Sequence, residues 1–219
     1  MTRYPILLLL LFVPFLSKGQ TMEAAQKETI AAALKEMRAA DQHYRNFISY
    51  GTFDKHFIDS MNNLEMDQVI AYMQQRKPLA QEVQDSLWKL QNTVDYANIE
   101  KLQLIVQLYG WPSEEDFGKE NDPFVLLLHT PTVLLEETKE LLLPEVIAGR
   151  LEAEQYAMFV DNMRMKHGER QLYGTNIEFD RVQMREMPPT IEDPVATNAA
   201  RERIGLAPLK EGEFRLPRN

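Results

Sequence analysis

Apolar residues recur at a spacing of three to four along most of the chain, which predicts a mainly helical fold. The pattern is clearest in the first third of the sequence, where Asp41 fills the one vacancy in an otherwise apolar stripe. Gly51 predicts the end of this first helix, because glycine readily adopts the left-handed conformation that follows many helices. The stripe consists of Ile30, Leu34, Met37, Tyr44 and Ile48.

Two further helices are predicted between Pro78 and Gly110. Pro78 suits a first-turn position, and an apolar stripe of Leu79, Val83, Leu87 and Leu90 follows it. Asp95 is predicted to cap the second of these helices, which Gly110 and the following Trp111-Pro112 bring to an end. Additional helices are predicted over about 67–76, over about 150–167 and from Pro194 to Gly205.

The periodicity changes after Gly168. Residues 171–179 and 181–187 are predicted to form a short two-stranded element, which Pro188-Pro189 ends. The predicted fold class is therefore mainly α, an irregular helical bundle with a small two-stranded β element near the C-terminus.

The N-terminal segment has the pattern of a cleavable signal peptide. Arg3 precedes an apolar run from Ile6 to Leu16, and small residues flank Lys18 before a predicted cut between Gly19 and Gln20. The run is shorter than the roughly 20 residues that span a bilayer. We therefore expect an exported protein, periplasmic or secreted, with no stable membrane span after cleavage. The alternative is a buried N-terminal helix.

The domain organisation follows from this assignment and from length. The 219 residues suit one sizeable core. We predict a signal peptide over 1–19, one helical domain over 20–209 and a loose tail over 210–219.

Composition excludes several classes of function. No cysteine occurs, which excludes thiolate metal sites and cysteine nucleophiles. The net charge of −9 becomes −11 once Arg3 and Lys18 are removed with the signal peptide. Such a balance repels phosphate backbones, so nucleic acid is not an expected partner.

Asp41 is the most informative candidate residue. On an ideal helix it lies within about 20° of the centre of the apolar stripe, and Arg45 follows one turn later. A carboxylate in that position is costly unless it is paired. Asp41 either faces a substrate and is oriented by Arg45, or forms a structural ion pair at one end of the core.

His129 is the histidine best placed for acid–base chemistry. It extends the apolar face of a short helix and precedes a break at Thr130-Pro131. A satisfied core histidine is the alternative. The other three histidines, His43, His56 and His167, have no partner at metal-ligand spacing, so no metal site is expected. No cofactor motif occurs, and the identity of any cofactor stays open.

Three more polar positions are candidates for ligand binding. Gln171, Tyr173 and Thr175 offer hydrogen-bonding side chains around Gly174, although a turn entering a strand explains them equally well. Asp161 and Arg164 are spaced as a surface ion pair on a helix.

These residues together resemble a bacterial family known as domain of unknown function 6624. The resemblance spans about Asp41 to Leu209, and Asn176 departs from it because glutamine commonly follows the last motif in that family. It implies one domain and gives weight to His129 and Gln171, but it implies no reaction. The residues that carry it are Asp41-Gln42, Arg45, Asp95, Asn98, Gly110-Trp111-Pro112, Gly118, His129, Gln171 and Tyr173-Gly174-Thr175.

Three functional hypotheses follow from these residues. The first is an exported domain that binds a small polar molecule or peptide of the cell envelope in a cleft between helices. The second is a hydrolase in which His129 acts as base, Asp41 or Asp95 orients it and Arg45 stabilises negative charge. The third is a structural or protein-interaction module. The residues assigned to the cleft are Asp41, Arg45, Asp95, His129, Gln171 and Tyr173, and Thr175 is a further ligand-binding candidate.

Overall fold

The computed structural model describes residues 22–180 and 185–217. The predicted signal peptide, residues 1–19, and residues 181–184 of the predicted second strand lie outside the described residues. Within the part of the chain that is described, no helix combines the length and the apolar character needed to cross a membrane.

Helices dominate the described residues, which confirms the predicted fold class. A small antiparallel sheet of two strands lies near the C-terminus. The elements in chain order are α1 (Ala24–Tyr50), α2 (Lys55–Asn62), α3 (Met66–Gln75), α4 (Gln81–Tyr109), α5 (Glu114–Phe117), α6 (Phe124–Leu128), α7 (Leu135–Ile147), α8 (Ala153–Lys166), β1 (Glu178–Asp180), β2 (Arg185–Met187) and α9 (Pro194–Arg203).

Helices α1 and α4 form the framework on which the core is built. They run antiparallel, because Asn98 donates to the carbonyl oxygen of Met37 at 3.0 Å, whereas Asp95 lies beside Arg45, further along α1. The apolar stripe predicted for α1 is buried over its first half, and Leu34 is fully buried. Burying such a leucine contributes roughly 1.5–3 kcal/mol to stability.

The shorter helices close the core around this pair. Leu126 and Leu127 of α6, Leu142 of α7 and Phe159 of α8 are each at most 1% exposed. Helix α6 is only one turn long and is followed directly by His129. The packing of α6 against α1 and α4 therefore fixes where the His129 backbone lies.

Helix α4 is continuous, so the predicted break at Asp95 is wrong. The helix begins at Gln81 with Ala80 as its N-cap, and it runs to Tyr109 without interruption. No proline or glycine lies inside it, and the low helix propensity of aspartate costs only about 0.5 kcal/mol. Asp95 consequently lies in the middle of a helix and caps nothing.

The part of α4 that precedes Gln91 extends beyond the core, which also contradicts a prediction. Val83 and Leu90, members of the stripe predicted to be buried, are 44% and 48% exposed, and the buried positions of α4 begin only at Gln91. Helix α3 lies near this end and buries no residue, with Met66 72% exposed. Helix α2, which begins at its cap Asp54, was not predicted.

The C-terminal region contains the predicted two-stranded element in a shorter form. Glu178 pairs with Met187 at one end of the ladder. Arg215, in the segment predicted to be a loose tail, donates to the carbonyl oxygen of Pro188 at 2.8 Å and forms an ion pair with Glu178. This part of the tail is therefore held against the body of the protein.

Candidate functional site

The structure brings Asp41 and His129 together. Asp41 Oδ1 lies 2.8 Å from His129 Nδ1, and the Asp41 side chain is 1% exposed, whereas that of His129 is 26% exposed. An ionised carboxylate can only accept hydrogen bonds, so Nδ1 carries the proton in this contact. In the neutral imidazole, the lone pair is then on Nε2.

Arg45 joins Asp41 to Asp95. Its Nη1 lies 3.0 Å from Asp41 Oδ1 and 2.9 Å from Asp95 Oδ1, and its Nη2 lies 2.7 Å from Asp95 Oδ2. The predicted ion pair between Asp41 and Arg45 is therefore present, and the two-pronged contact with Asp95 adds a partner from another helix. Bidentate contacts of this kind are both strong and directional.

Two glutamines complete the hydrogen bonds of these carboxylates. Gln42 donates to Asp41 Oδ2 at 2.6 Å, and Gln91 donates to Asp95 Oδ1 at 2.7 Å. Gln91 is fully buried, and its Oε1 has no hydrogen-bond partner among the described residues. A buried acceptor without a donor is costly.

Gln91 was missed by sequence reasoning, although a signal for it exists. Gln91, Asp95 and Asn98 follow helical spacing and continue directly into the apolar positions Ile99 and Leu102. The false break at Asp95 concealed this polar extension of the buried face.

Lys166, the last residue of α8, was also missed. Its Nζ donates to the carbonyl oxygens of Leu128 at 3.0 Å and Thr130 at 3.4 Å, the two residues that flank His129. The pKa of Lys166 lies below its ordinary value of 10.5, chiefly because burial of its ammonium disfavours the charge; attraction to Asp95 acts against this shift. No pattern in one sequence connects residue 166 to residues 128 and 130.

The charges around His129 balance without the imidazole. Two carboxylates, Asp41 and Asp95, are accompanied by two cations, Arg45 and Lys166. A neutral His129 consequently leaves the cluster with no net charge. With Nδ1 bound to a buried carboxylate and Nε2 free of any hydrogen bond to a described residue, the imidazole has the arrangement of a general base.

The other three predicted ligand-binding residues lie in a separate loop, which follows α8. The loop is held by Asp161 of α8, which is fully buried and accepts hydrogen bonds from the backbone of Leu172, Tyr173 and Thr175 and from Thr175 Oγ1, at 2.7 to 2.9 Å. Asp161 therefore organises a loop. It does not form the surface pair with Arg164 that its spacing predicts, and Arg164 instead pairs with Glu169.

Gln171 and Tyr173 also find their partners within this region. The amide of Gln171 both donates to the carbonyl oxygen and accepts from the N–H of Asn176, each at 2.8 Å. Tyr173 is 6% exposed and packs edge-on against Tyr156. No hydrogen bond or ion pair among the described residues connects this loop with Asp41 or His129. The ligand-binding role of Gln171, Tyr173 and Thr175 stays a prediction.

Another buried carboxylate, that of Glu145, explains the Gly110-Trp111-Pro112 motif. Glu145 of α7 accepts the N–H of Trp111 at 2.8 Å and two hydrogen bonds from Arg150, at 2.6 and 2.8 Å. Gly110 has φ of 84°, and a Cβ at this position would lie 2.9 Å from Arg150 Nε. The motif therefore anchors the end of α4 to α7.

Other ligand types find little support in the described residues. They contain no group of three histidine, aspartate or glutamate side chains that could hold a metal ion. A groove of about 410 Å³ lies between the first turns of α1 and the end of α4, and its lining is mostly apolar. It does not include Asp41 or His129.

Comparisons with known proteins identify one family. No curated protein matches the chain, and no solved structure matches it. Residues 61–217, more than two thirds of the chain, match the model of one family, described as Family of unknown function (DUF6624). This match includes Asp95, His129 and the loop around Asp161, whereas Asp41 and Arg45 precede it. The chain belongs to the Family of unknown function (DUF6624).

Proposed function

We propose that this protein is a hydrolase in which His129 acts as a general base and Asp41 orients it. The observation that carries the proposal is the 2.8 Å contact of His129 Nδ1 with Asp41, whose carboxyl is buried, while the imidazole is partly exposed. A histidine whose far nitrogen is open can accept a proton from water.

The proposed reaction is the hydrolysis of a small polar ester or amide. His129 Nε2 takes a proton from water as the water oxygen bonds to the carbonyl carbon. The tetrahedral intermediate then breaks its bond to the leaving group, and the imidazolium returns the proton to the leaving oxygen or nitrogen. Asp41 stabilises the imidazolium between these two steps.

Arg45 takes a different role from the one predicted for it. Its Nη1 and Nη2 groups are both engaged by carboxylates, and its side chain is only 15% exposed. We therefore assign it as a positioning residue that holds Asp41 and Asp95 together, and do not assign it to the stabilisation of substrate charge.

A second candidate is a domain that binds a small polar ligand of the cell envelope without converting it. The buried Gln91 Oε1, which lacks a hydrogen-bond partner among the described residues, favours this candidate because a ligand donor could satisfy it. The predicted cleft would then contain Arg45, Asp95 and His129.

We further propose that the protein acts outside the cytoplasm. The charged, apolar and small-residue pattern of residues 1–19 supports export with cleavage between Gly19 and Gln20. N-terminal sequencing of the protein recovered from the envelope or medium tests this, and a mature chain that begins at Met1 would contradict it.

Enzyme assays test the main proposal. The chain from Gln20 onward would be assayed against p-nitrophenyl esters and N-acyl amides, together with the variants His129→Gln, Asp41→Asn and His56→Gln. We expect His129→Gln to lower kcat/KM by about 10²- to 10⁴-fold, and Asp41→Asn to lower it substantially. His56, an exposed histidine, provides the matched control and should leave the rate unchanged.

Two results would decide against the hydrolase. Turnover that persists in His129→Gln would exclude this residue as the base. Absence of turnover, combined with ligand-dependent thermal stabilisation that His129→Gln abolishes, would favour the binding candidate.

A further inference from the structure

Lys166 is held in an unusual way beside His129. Its ammonium has three N–H donors, and two of them contact the carbonyl oxygens of Leu128 and Thr130. Among the described residues, no further acceptor and no carboxylate oxygen within 4.0 Å takes the third donor. The side chain as a whole is nevertheless exposed, so a ligand can reach it.

The groups around His129 are arranged in layers of opposite charge. The carboxylates lie deepest, because the side chains of Asp41 and Asp95 are 1% and 6% exposed. His129 is 26% exposed, and Lys166 reaches the surface next to it. A molecule that approaches from solvent therefore meets the ammonium of Lys166 and the imidazole of His129 before it meets the acids.

The environment of Lys166 also favours the binding of an anion. Burial lowers the pKa of its ammonium, and attraction to Asp95 only partly compensates. A desolvated cation without a direct counter-ion gains more from a bound anion than a fully hydrated lysine does. The chain as a whole is acidic, with a net charge of −9, so a local site for anions is not a consequence of general basicity.

We propose that Lys166 binds an oxyanion of the substrate beside His129, so that the molecules processed here carry a carboxylate or phosphate group. The substrate class rests on the proposed hydrolase, whereas the anion site stands on the geometry of Lys166. Ester or amide substrates without a second charged group would then be poor ones.

Anion titration tests the site without requiring turnover. Sodium acetate and sodium phosphate would be titrated separately into the chain from Gln20 onward, at constant ionic strength set with chloride, while the ring resonances of His129 are followed by NMR. We expect saturable shifts with at least one anion, and at least tenfold weaker binding in Lys166→Met. Lys101→Met, which removes an exposed lysine of α4, should bind as the wild type does.

Comparison of the two anions shows which charged group of the substrate Lys166 binds. Saturation by acetate alone indicates a carboxylate, saturation by phosphate alone indicates a phosphoryl group, and saturation by both indicates a shared oxyanion site. No saturable shift in the wild type, or equal binding in Lys166→Met, would overturn the proposal. Lys166→Arg, which retains the charge, should preserve part of the affinity.

The proposed reaction and the proposed anion site can fail independently of each other. Anion binding that depends on Lys166 in a protein without hydrolase activity would retain the site and refute the proposed reaction. Hydrolysis that depends on His129 and shows an unchanged KM for anionic substrates in Lys166→Met would retain the proposed reaction and refute the anion site.

Discussion

Asp41 Oδ1 and His129 Nδ1 form a 2.8 Å hydrogen bond across 88 positions of sequence. The carboxylate is the only partner that the described residues offer to the imidazole, and it is itself held by Arg45 and Gln42. Helices α1 and α4 and the residue that directly follows α6 thus meet at this group of polar side chains.

Replacement of Asp41 should be strongly destabilising. Asp41→Ala leaves His129 without its partner and leaves Arg45 with Asp95 as its one carboxylate, and we expect a loss of about 3–5 kcal/mol in the free energy of unfolding. Urea denaturation measures this loss. Asp59→Ala removes an exposed pair of the same i,i+4 spacing, between Lys55 and Asp59, and should change stability by less than about 1 kcal/mol. Equal losses in the two variants would show that the Asp41 pairs are not buried.

Replacement of Asp161 should open the loop that follows α8. Asp161→Ala removes the acceptor of four hydrogen bonds, so we expect a loss of about 2–4 kcal/mol and faster tryptic cleavage after Arg170. Asp193→Ala, which removes only the cap of α9, should cost about 1 kcal/mol and leave cleavage after Arg170 unchanged. Protection of Arg170 in Asp161→Ala would contradict the role assigned to this carboxylate.

Two buried tyrosines should make the protein sensitive to alkali. Burial raises the pKa of Tyr156 and of Tyr173 above the ordinary value of 10.0. The neighbouring Tyr173 raises the pKa of Tyr156 further, and the carboxylate of Asp161 raises the pKa of Tyr173 further. The unfolded chain then releases these protons at a lower pH than the folded one, so stability is complete below about pH 10 and falls as the pH rises further.

Urea denaturation between pH 7 and 11 tests the effect of these tyrosines. The loss of stability above pH 10 should be smaller in Tyr156→Phe than in the wild type, because phenylalanine has no proton to release. Tyr96→Phe, at an exposed position, is the matched control and should follow the wild-type curve. A wild-type stability that stays constant to pH 11 would contradict the burial of these hydroxyl groups.

Lys166 should react faster with electrophiles than other lysines do near neutral pH. Because its pKa is lowered, a larger fraction of the Lys166 amine is unprotonated at pH 8 than is the case for a fully hydrated lysine with a pKa of 10.5. Competitive labelling with trace acetic anhydride, followed by mass spectrometry, gives the ratio of the acetylation rate of Lys166 to that of Lys101 in one sample. A ratio below one would mean that the two hydrogen bonds of the ammonium outweigh its desolvation.

The local part of the site was predictable from the sequence, and the long-range part was not. An acidic residue on an apolar helical stripe with arginine one turn later fixes the Asp41–Arg45 pair, because both lie on one helix. The partnership with His129 depends on how α6 packs against α1, which no spacing reveals. The predicted helix break at Asp95 also separated Gln91 from the face to which it belongs.

No hydrogen bond or ion pair among the described residues links Gln171, Tyr173 or Thr175 to Asp41 or His129, so their place in one shared site stays a prediction. Gln171, Tyr173 and Thr175 are close to one another because they surround one tight loop, and Asp161 supplies the acceptors that hold it. The spacing of Asp161 and Arg164 predicted a surface ion pair. Asp161 is buried because the loop that follows α8 packs against it, and helical spacing alone does not reveal this contact. Polar side chains in a turn therefore say little about a ligand until their backbone partners are known.

The protonation state of the His129 ring is the most direct test of the proposal that Asp41 orients this histidine as a base. In the neutral form, ¹⁵N NMR of histidine-labelled protein distinguishes the two tautomers, and His129→Gln assigns the resonances. We expect a proton on Nδ1, bound to Asp41, and an unprotonated Nε2 that is free to accept one from water. A neutral His129 with its proton on Nε2 would contradict both the contact with an ionised Asp41 and the role of this histidine as a base.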